Sequence, residues 1–208
     1  MAFDISKFSA HLNKYGTIKN NRYEVIISPP ASFRLAPGFQ EEFKEMFDIL
    51  TLRVEQVRIP NVNLNIQRVN RYGIGPRQAF PTNAEFPDTV SLTFLETTNS
   101  DVHKFFHVWM NSIFGYYNTS FFNERGIYLA EYKNVYSTLV QINVYDDKGT
   151  DIISNEVELT EAYPVQISEV PLSWGDNNTH MKINVNFAFT DIRFPQLNPN
   201  TFNFTPPT

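Results

Sequence analysis

The 208-residue sequence contains no cysteine, which excludes disulfide bonds and thiolate chemistry. Charge is also scarce, because Asp, Glu, Lys and Arg make up 19% of residues, below the usual quarter. The formal net charge of −5 excludes a broad basic surface that would clamp nucleic acid. No apolar run has the length of a signal peptide or approaches the roughly 18 residues of a membrane helix. We therefore expect a chain that is made in the cytoplasm and then stays soluble or assembles.

Aromatic side chains, in contrast, are abundant. They make up 15% of residues and include 19 Phe, which is ample material for a core in a chain of this length. No internal repeat or linker divides the sequence. We therefore predict one β domain over residues 1–194, followed by an irregular C-terminal tail rich in Pro and Asn over residues 195–208.

Alternation of apolar and polar residues with period two predicts most of the secondary structure. The clearest case is residues 183–189, where the apolar positions alternate with polar positions that carry no charge. Residues 62–69 show the same neutral polar face. Further strands are predicted over residues 22–28, 53–59, 89–96, 138–145, 150–159 and 165–174, with Asp146 to Gly149 as a tight connection. A neutral polar face can contact another subunit without the desolvation of ions.

Three helices are predicted among these strands. The first has Asp4 as its N-cap and stops at Gly16, and the second follows Pro37 and ends near Leu50. The third, capped by Ser100 and ending near Phe114, has a wide apolar stripe of Val102, Phe105, Phe106, Trp109 and Ile113. Because strands are not separated regularly by helices, the fold class is mainly β: an antiparallel two-sheet β-barrel or sandwich with a flanking helix.

A long segment over residues 71–87 contains two Gly and three Pro, and such a length predicts an interaction loop. Our candidates for contact with a neighbouring subunit are Arg71, Tyr72, Arg77 and Phe80. Gly73 and Gly75 do not make a phosphate-binding loop, because a third Gly and a following helix are missing. The arginines favour ion pairs between subunits over nucleic-acid binding in so acidic a chain.

Catalytic patterns are weak. His103 and His107 have the i, i+4 spacing of two zinc ligands, but Lys104 occupies the position at which zinc proteases have Glu. The sequence offers no cluster that would supply a third ligand. Asp146 and Asp147 are read as turn residues, and no serine lies in a nucleophile-elbow motif. We expect no enzyme activity, no cofactor and no metal site.

The order of these segments resembles the tail tube protein family of contractile-tailed bacteriophages over nearly the whole chain. The segments that carry the resemblance are FDISKFSAHL, NRYEV, RIPN, VSLTFLE, FFHVWMNSI, VYDDKGT and AYPVQISEVPLSWGDNNTHMKINVNFAF. The sequence departs from the family at Asn61, where Gly is common, in a longer segment over residues 29–51, and in the tail after Phe194. These departures leave open a bulk tube subunit or a tube-initiating subunit of the baseplate.

The resemblance implies a subunit of the virion tail, assembled in the host cytoplasm, that forms hexameric rings stacked into a hollow tube. Sheath contraction would drive this tube through the host envelope, and DNA would pass without sequence-specific binding. The partners implied are other copies of the chain and the sheath, baseplate, tape-measure and tail-terminator proteins. Asn184, Asn186 and Thr190 then become candidates for the lumen or for an inter-subunit contact.

Two further hypotheses come from other classes of protein. A carbohydrate- or protein-binding β-sandwich module would share the aromatic content, and it predicts a monomer with an exposed Tyr or Trp in a groove. A zinc hydrolase that uses His103 and His107 predicts metal in the purified protein. Rings or tubes seen by electron microscopy would favour the tube hypothesis over both.

Overall fold

The computed structural model describes residues 4–35, 40–69, 77–115, 130–146, 153–175 and 179–196. Within them the helices are α1 (Ile5–Tyr15), α2 (Ala31–Leu35), α3 (Gln40–Arg53), α4 (Asp101–Ile113) and α5 (Lys133–Tyr136). The strands are β1 (Tyr23–Ile27), β2 (Val54–Val57), β3 (Asn63–Val69), β4 (Gln78–Glu85), β5 (Thr89–Leu95), β6 (Thr138–Tyr145), β7 (Ile153–Ile167), β8 (Lys182–Ala188) and β9 (Asp191–Arg193).

All strand pairs are antiparallel, and the main sheet follows the order β1-β6-β7-β8-β5-β2. Strand β7 belongs to both halves of this sheet: its first part pairs with β6 and β9, and its last part pairs with β8. The change of partner occurs at Glu161, whose φ of 52° lies in the left-handed region that L-residues seldom adopt. The two halves face each other as a sandwich around the core.

The outer strands β1 and β2 approach each other without a backbone ladder in the described residues. The Tyr23 hydroxyl donates to the backbone carbonyl of Glu55 and lies 3.4 Å from that of Val54. Burial, and then the Glu55 carboxylate, raise the pKa of Tyr23, so this hydroxyl keeps its proton. The predicted mainly β antiparallel fold is confirmed, as an open sandwich in the described part of the chain.

The apolar stripe of α4 packs inside this sandwich. Val102, Phe106 and Trp109 are fully buried, and Phe105 is 3% exposed. The Trp109 ring contacts Phe187 of β8 and Phe33 of α2 edge to face, with ring centroids 5.9 and 6.0 Å apart. Its indole N–H donates to the Tyr136 carbonyl at 3.0 Å. The predicted stripe is therefore confirmed as the centre of the core.

Ser100 is the N-cap residue of α4, as predicted, but its side chain does not cap the helix. Ser100 adopts a left-handed conformation and its side chain makes no cap hydrogen bond. The Glu96 carboxylate instead accepts hydrogen bonds from the backbone N–H groups of Val102 and His103, both at 3.0 Å, and the Thr97 hydroxyl accepts from Asp101 at 2.9 Å. A carboxylate at this end also faces the positive end of the helix dipole.

The predicted long loop over residues 71–87 is wrong for residues 78–85, which form β4. Residues 70–76, which include Arg71 and Tyr72, lie outside the described part of the chain. The sequence favoured a loop because the segment has two Gly and three Pro, and because Pro81 and Asn83 have low strand propensity. Within the described residues β4 pairs only with β3, and an edge strand of this kind tolerates Pro81 because its other edge needs no N–H donor.

The strand predicted over residues 150–159 is confirmed for residues 153–159, but it continues to Ile167 as one strand, β7, so the separate strand predicted over residues 165–174 is wrong. Pro164 lies inside this strand and pairs with Phe187 of β8, in the part of β7 that no longer pairs with β6, where a missing N–H is tolerated. Residues 168–174 form no strand, and Leu172 and Trp174 are exposed. The hairpin tip after Asp146 lies outside the described residues.

Candidate assembly surfaces

The β3–β4 hairpin forms a two-stranded sheet separate from the main sheet. Every residue of both strands is exposed, although β3 has a clear apolar face. Leu64 is 63% exposed and Ile66 is 54% exposed. They pair with Ala84 and Pro81 of β4 across a register shift between Asn65 and Ile66. The hairpin thus presents apolar side chains that nothing in the described part of the chain covers.

Two of the four predicted assembly-loop residues lie on this hairpin. Phe80 is exposed in β4 and pairs with Gln67, and Arg77 directly precedes β4. Phe80 therefore shares the face of Gln67, opposite to the face that carries Leu64 and Ile66. The sequence also marked the neutral polar face of this strand, but it contained no sign that the opposite, apolar face would lack a covering layer.

A row of uncharged side chains crosses the outer face of the other half of the sandwich. Asn186 of β8 accepts a hydrogen bond from the Ser91 hydroxyl of β5 and donates to Gln166 of β7 at 2.9 Å. Asn184 lies on the same face of β8 and pairs with Thr93. An ion pair between Lys182 and Glu55 at 2.6 Å lies at the start of β8. Asn184 and Asn186 thus share a half-buried neutral surface.

Thr190, the third predicted residue of that surface, lies elsewhere. It follows β8 at a bend, where its hydroxyl donates to the Glu161 carboxylate at 2.7 Å and accepts a hydrogen bond from the Lys133 ammonium. Lys133 and Glu161 form an ion pair at 2.7 Å. The Lys133 and Thr190 hydrogen bonds lower the pKa of Glu161. Thr190 therefore belongs to a charged cluster at the corner where β7 changes partner.

No local sequence pattern predicts this corner, because Lys133, Glu161 and Thr190 come from three distant segments. The backbone N–H of Thr190 donates to the Thr160 carbonyl at 3.0 Å, and β9 then pairs with the first part of β7. The chain after β8 therefore crosses between the two halves of the sandwich beside the crossing of β7. The cluster of Lys133, Glu161 and Thr190 lies at these two crossings.

Other exposed apolar residues lie outside the hairpin. Trp174 is 106% exposed and Leu172 is 86% exposed, in the segment that was predicted as a strand. The amphipathic helix α1 is confirmed, with Asp4 as its N-cap and Gly16 as its C-cap, yet Ile5 and Phe8 are also exposed. Exposure of these apolar side chains to water is unfavourable in free energy, and burial against another protein surface would remove this cost.

The described residues contain no group of three or more His, Cys, Asp or Glu side chains that could hold a metal ion. His103 and His107 of α4 approach each other to 3.3 Å between their Nε2 atoms. No helix in the described residues is long and apolar enough to span a membrane.

A family model described as phage tail tube protein matches residues 18–194. No curated protein sequence matches the chain significantly. Among solved structures, the chain is similar to one from the extended sheath–tube complex of an extracellular contractile injection system named PVC. The identity is 11%, the match covers 93% of this chain and 98% of that chain, and the TM-score is 0.50.

Two more structures have a similar fold. One comes from the sheath/tube terminator of the same PVC system in its extended state, with 12% identity over 86% of this chain and 96% of that chain, and a TM-score of 0.50. The other comes from the baseplate of the anti-feeding prophage, 6-fold symmetrised, with 11% identity over 86% and 95% of the two chains and a TM-score of 0.54. At such low identity these matches describe the fold alone.

Proposed function

The chain belongs to the phage tail tube protein family, and on that premise we propose that it assembles into hexameric rings that stack as the hollow tube of a contractile tail. The observation that carries this proposal is the β3–β4 hairpin. A two-stranded hairpin on its own is marginally stable in water, and this one also exposes Leu64 and Ile66. A neighbouring subunit that covers the apolar face of β3 would supply the missing layer.

The proposal also assigns the domain bounds and the contact residues. The tail tube domain spans residues 1–194, and residues 195–208 form its tail. Arg71, Tyr72, Arg77 and Phe80 belong to the ring or stacking contact that the hairpin makes. The similar structures are named for a sheath–tube complex, a sheath/tube terminator and a baseplate. Sheath, terminator, baseplate and tape-measure proteins are accordingly the partners proposed here, in a virion tail assembled in the host cytoplasm.

The neutral row at Asn184 and Asn186 fits a conduit for DNA or a contact between subunits. A lumen lined with Lys or Arg would bind the phosphates of passing DNA and release counterions, which holds nucleic acid in a salt-dependent way. Amide and hydroxyl groups that bond one another across β5, β8 and β7 offer no such site. The net charge of −5 adds a weak repulsion of the polyanion.

Electron microscopy of the purified full-length chain tests the proposal. We expect rings or tubes with six subunits per ring in the parent. A variant in which a short Gly–Ser link replaces residues 63–85 should fold, because the hairpin lies outside the main sheet, but it should form neither rings nor tubes. Circular dichroism and the denaturant midpoint report its folding.

The outcomes separate the candidate functions. Long tubes from the chain alone indicate a bulk tube subunit. Single rings that stop growing indicate the baseplate initiator. A parent that stays monomeric at high concentration, or a hairpin variant that still builds normal tubes, would contradict the assembly role given to the hairpin.

A further inference from the structure

Helix α4 brings two imidazoles together on the side that its buried stripe leaves open. His103 is half-buried and His107 is exposed. Their Nε2 atoms lie 3.3 Å apart, while the ring centroids lie 4.4 Å apart. The separation of 3.3 Å is that of a hydrogen bond between the two imidazoles. The i, i+4 spacing places both rings on the same side of α4.

The separation of these nitrogens suits a chelated metal ion. Zinc-bound imidazole nitrogens lie about 2.0–2.1 Å from the metal. An ion at that distance from two nitrogens 3.3 Å apart subtends an angle of about 107°, close to the tetrahedral value that zinc prefers. We propose that His103 and His107 chelate one divalent transition-metal ion per chain, of the class of Cu²⁺, Ni²⁺ and Zn²⁺, with water in the remaining coordination positions.

Charged side chains on the first turn of α4 have partners of their own. The nearest cation in sequence, Lys104, donates its ammonium to the Asn99 carbonyl at 2.7 Å, toward the start of the helix. The Asp101 carboxylate accepts a hydrogen bond from the Thr97 hydroxyl at 2.8 Å. Both charged neighbours thus have partners near the first turn of α4.

Only two protein ligands are available in the described residues, and this limits what the site can do. Structural zinc sites use four protein ligands and catalytic ones use three. The pair is therefore a weak, exchangeable surface site. It is separate from the assembly surfaces, so its failure in a binding test would leave the proposed tube function unaffected.

Calorimetric titration of the full-length protein with CuCl₂, NiCl₂ or ZnCl₂ tests the site. We expect one equivalent per chain, with Cu²⁺ bound more tightly than Ni²⁺ or Zn²⁺, as the Irving–Williams order requires. His103→Gln and His107→Gln should each weaken binding by at least about tenfold, the loss that even outer-sphere partners of metal ligands cause. The matched control is His180→Gln, which removes an exposed imidazole outside α4 and should change nothing.

A second measurement needs no variant. Substoichiometric Cu²⁺ added to the parent should broaden the ring NMR signals of His103 and His107 before those of His11 and His180. Absence of saturable binding, equal binding by the parent and both α4 variants, or loss of binding in His180→Gln would each overturn the proposal. Broadening centred on His11 or His180 would overturn it as well.

Discussion

Strands β8 and β3 follow the same sequence pattern and end in opposite environments. In β8, Ile183, Val185 and Phe187 are fully buried under α4. In β3, Leu64 and Ile66 alternate with neutral polar residues in the same way, yet every residue of the strand is exposed. The strands differ in what lies over them. A helix and a second half-sheet cover the apolar face of β8, whereas β3 pairs with β4 alone among the described strands.

The comparison teaches that alternation predicts a strand and its apolar face, but leaves open which molecule covers that face. Burial of a side chain such as Leu or Ile is worth about 1.5–3 kcal/mol relative to exposure. The interior of this chain realises that gain at β8. At β3 nothing in the described part of the chain realises that gain, which is the physical basis for assigning the hairpin to assembly.

The largest loss of stability should come from a substitution in the buried core that α4 forms with β8. Trp109→Ala removes a fully buried ring and its hydrogen bond to Tyr136, and it should lower the free energy of unfolding by about 3–5 kcal/mol. Trp174→Ala is the matched control, because Trp174 is 106% exposed, and it should change that energy by less than about 0.5 kcal/mol. Denaturant midpoints check both. Coincident midpoints for Trp109→Ala and the parent would show that α4 is not the core helix.

A smaller loss is expected at the start of the same helix. Glu96→Ala leaves the N–H groups of Val102 and His103 without the acceptor that the structure gives them, and loss of a cap costs about 0.5–2 kcal/mol. Ser100→Ala should cost less than about 0.5 kcal/mol, because its side chain makes no cap hydrogen bond. Thermal or denaturant unfolding distinguishes the two. A larger loss of stability for Ser100→Ala than for Glu96→Ala would show that the Ser100 side chain caps the helix, as the sequence predicted.

Helix α4 shows which features of the fold could be predicted from the sequence and which could not. The apolar stripe of α4 follows from a 3.6-residue period within one helix, so it was predicted correctly. The cap depends on a residue four positions before Ser100, at the end of β5, and on the backbone path between them. A polar residue beside a helix is a good cap candidate, but the left-handed conformation of Ser100 turns it away from that role.

The remaining differences arise from pairing between distant segments. Residues 78–85 have poor strand propensity and become β4 because β3 supplies a ladder. Pro164 stays inside β7 because β6 departs at Ala162. The corner of Lys133, Glu161 and Thr190 unites three segments that no local pattern connects. For the candidate surfaces, neutral polar faces were visible in the sequence, whereas the separation of Thr190 from Asn184 and Asn186 depends on the bend after β8.

A third prediction concerns the neutral row on the outer face of the covered strands. Asn186→Lys should fold, because the buried face of β8 is unchanged, with a loss of about 1 kcal/mol for the hydrogen bonds to Ser91 and Gln166. In a lumen, a ring of lysines would hold passing DNA, so release from particles should slow at low salt and recover at high salt.

Particle assembly and DNA release at two salt concentrations check this prediction. Asn186→Gln is the matched neutral control and should behave as the parent does. Blocked assembly with normal folding would place the row between subunits instead of in the lumen. Parent-like assembly and release at both salt concentrations would place this surface outside the tube's contacts with DNA and with other subunits.

The smallest effect on the isolated subunit is expected at the hairpin, and it sharpens the comparison most directly. Ile66→Thr and Ile183→Thr are the same substitution in two alternating strands. At Ile183, which is fully buried, it should cost roughly 2–4 kcal/mol, because it removes apolar contact and buries a hydroxyl. At Ile66, which is 54% exposed, it should change the free energy of unfolding of the dissociated subunit by less than about 0.5 kcal/mol.

The same Ile66→Thr subunit should nevertheless need a higher protein concentration to form tubes, since each ring repeats the lost apolar contact. Denaturant unfolding below the assembly concentration and light scattering above it separate these two quantities. If Ile66→Thr destabilises the subunit as much as Ile183→Thr does, the hairpin is covered by its own chain. If the concentration needed for assembly is unchanged, the apolar face of β3 is not the surface that neighbouring subunits bind.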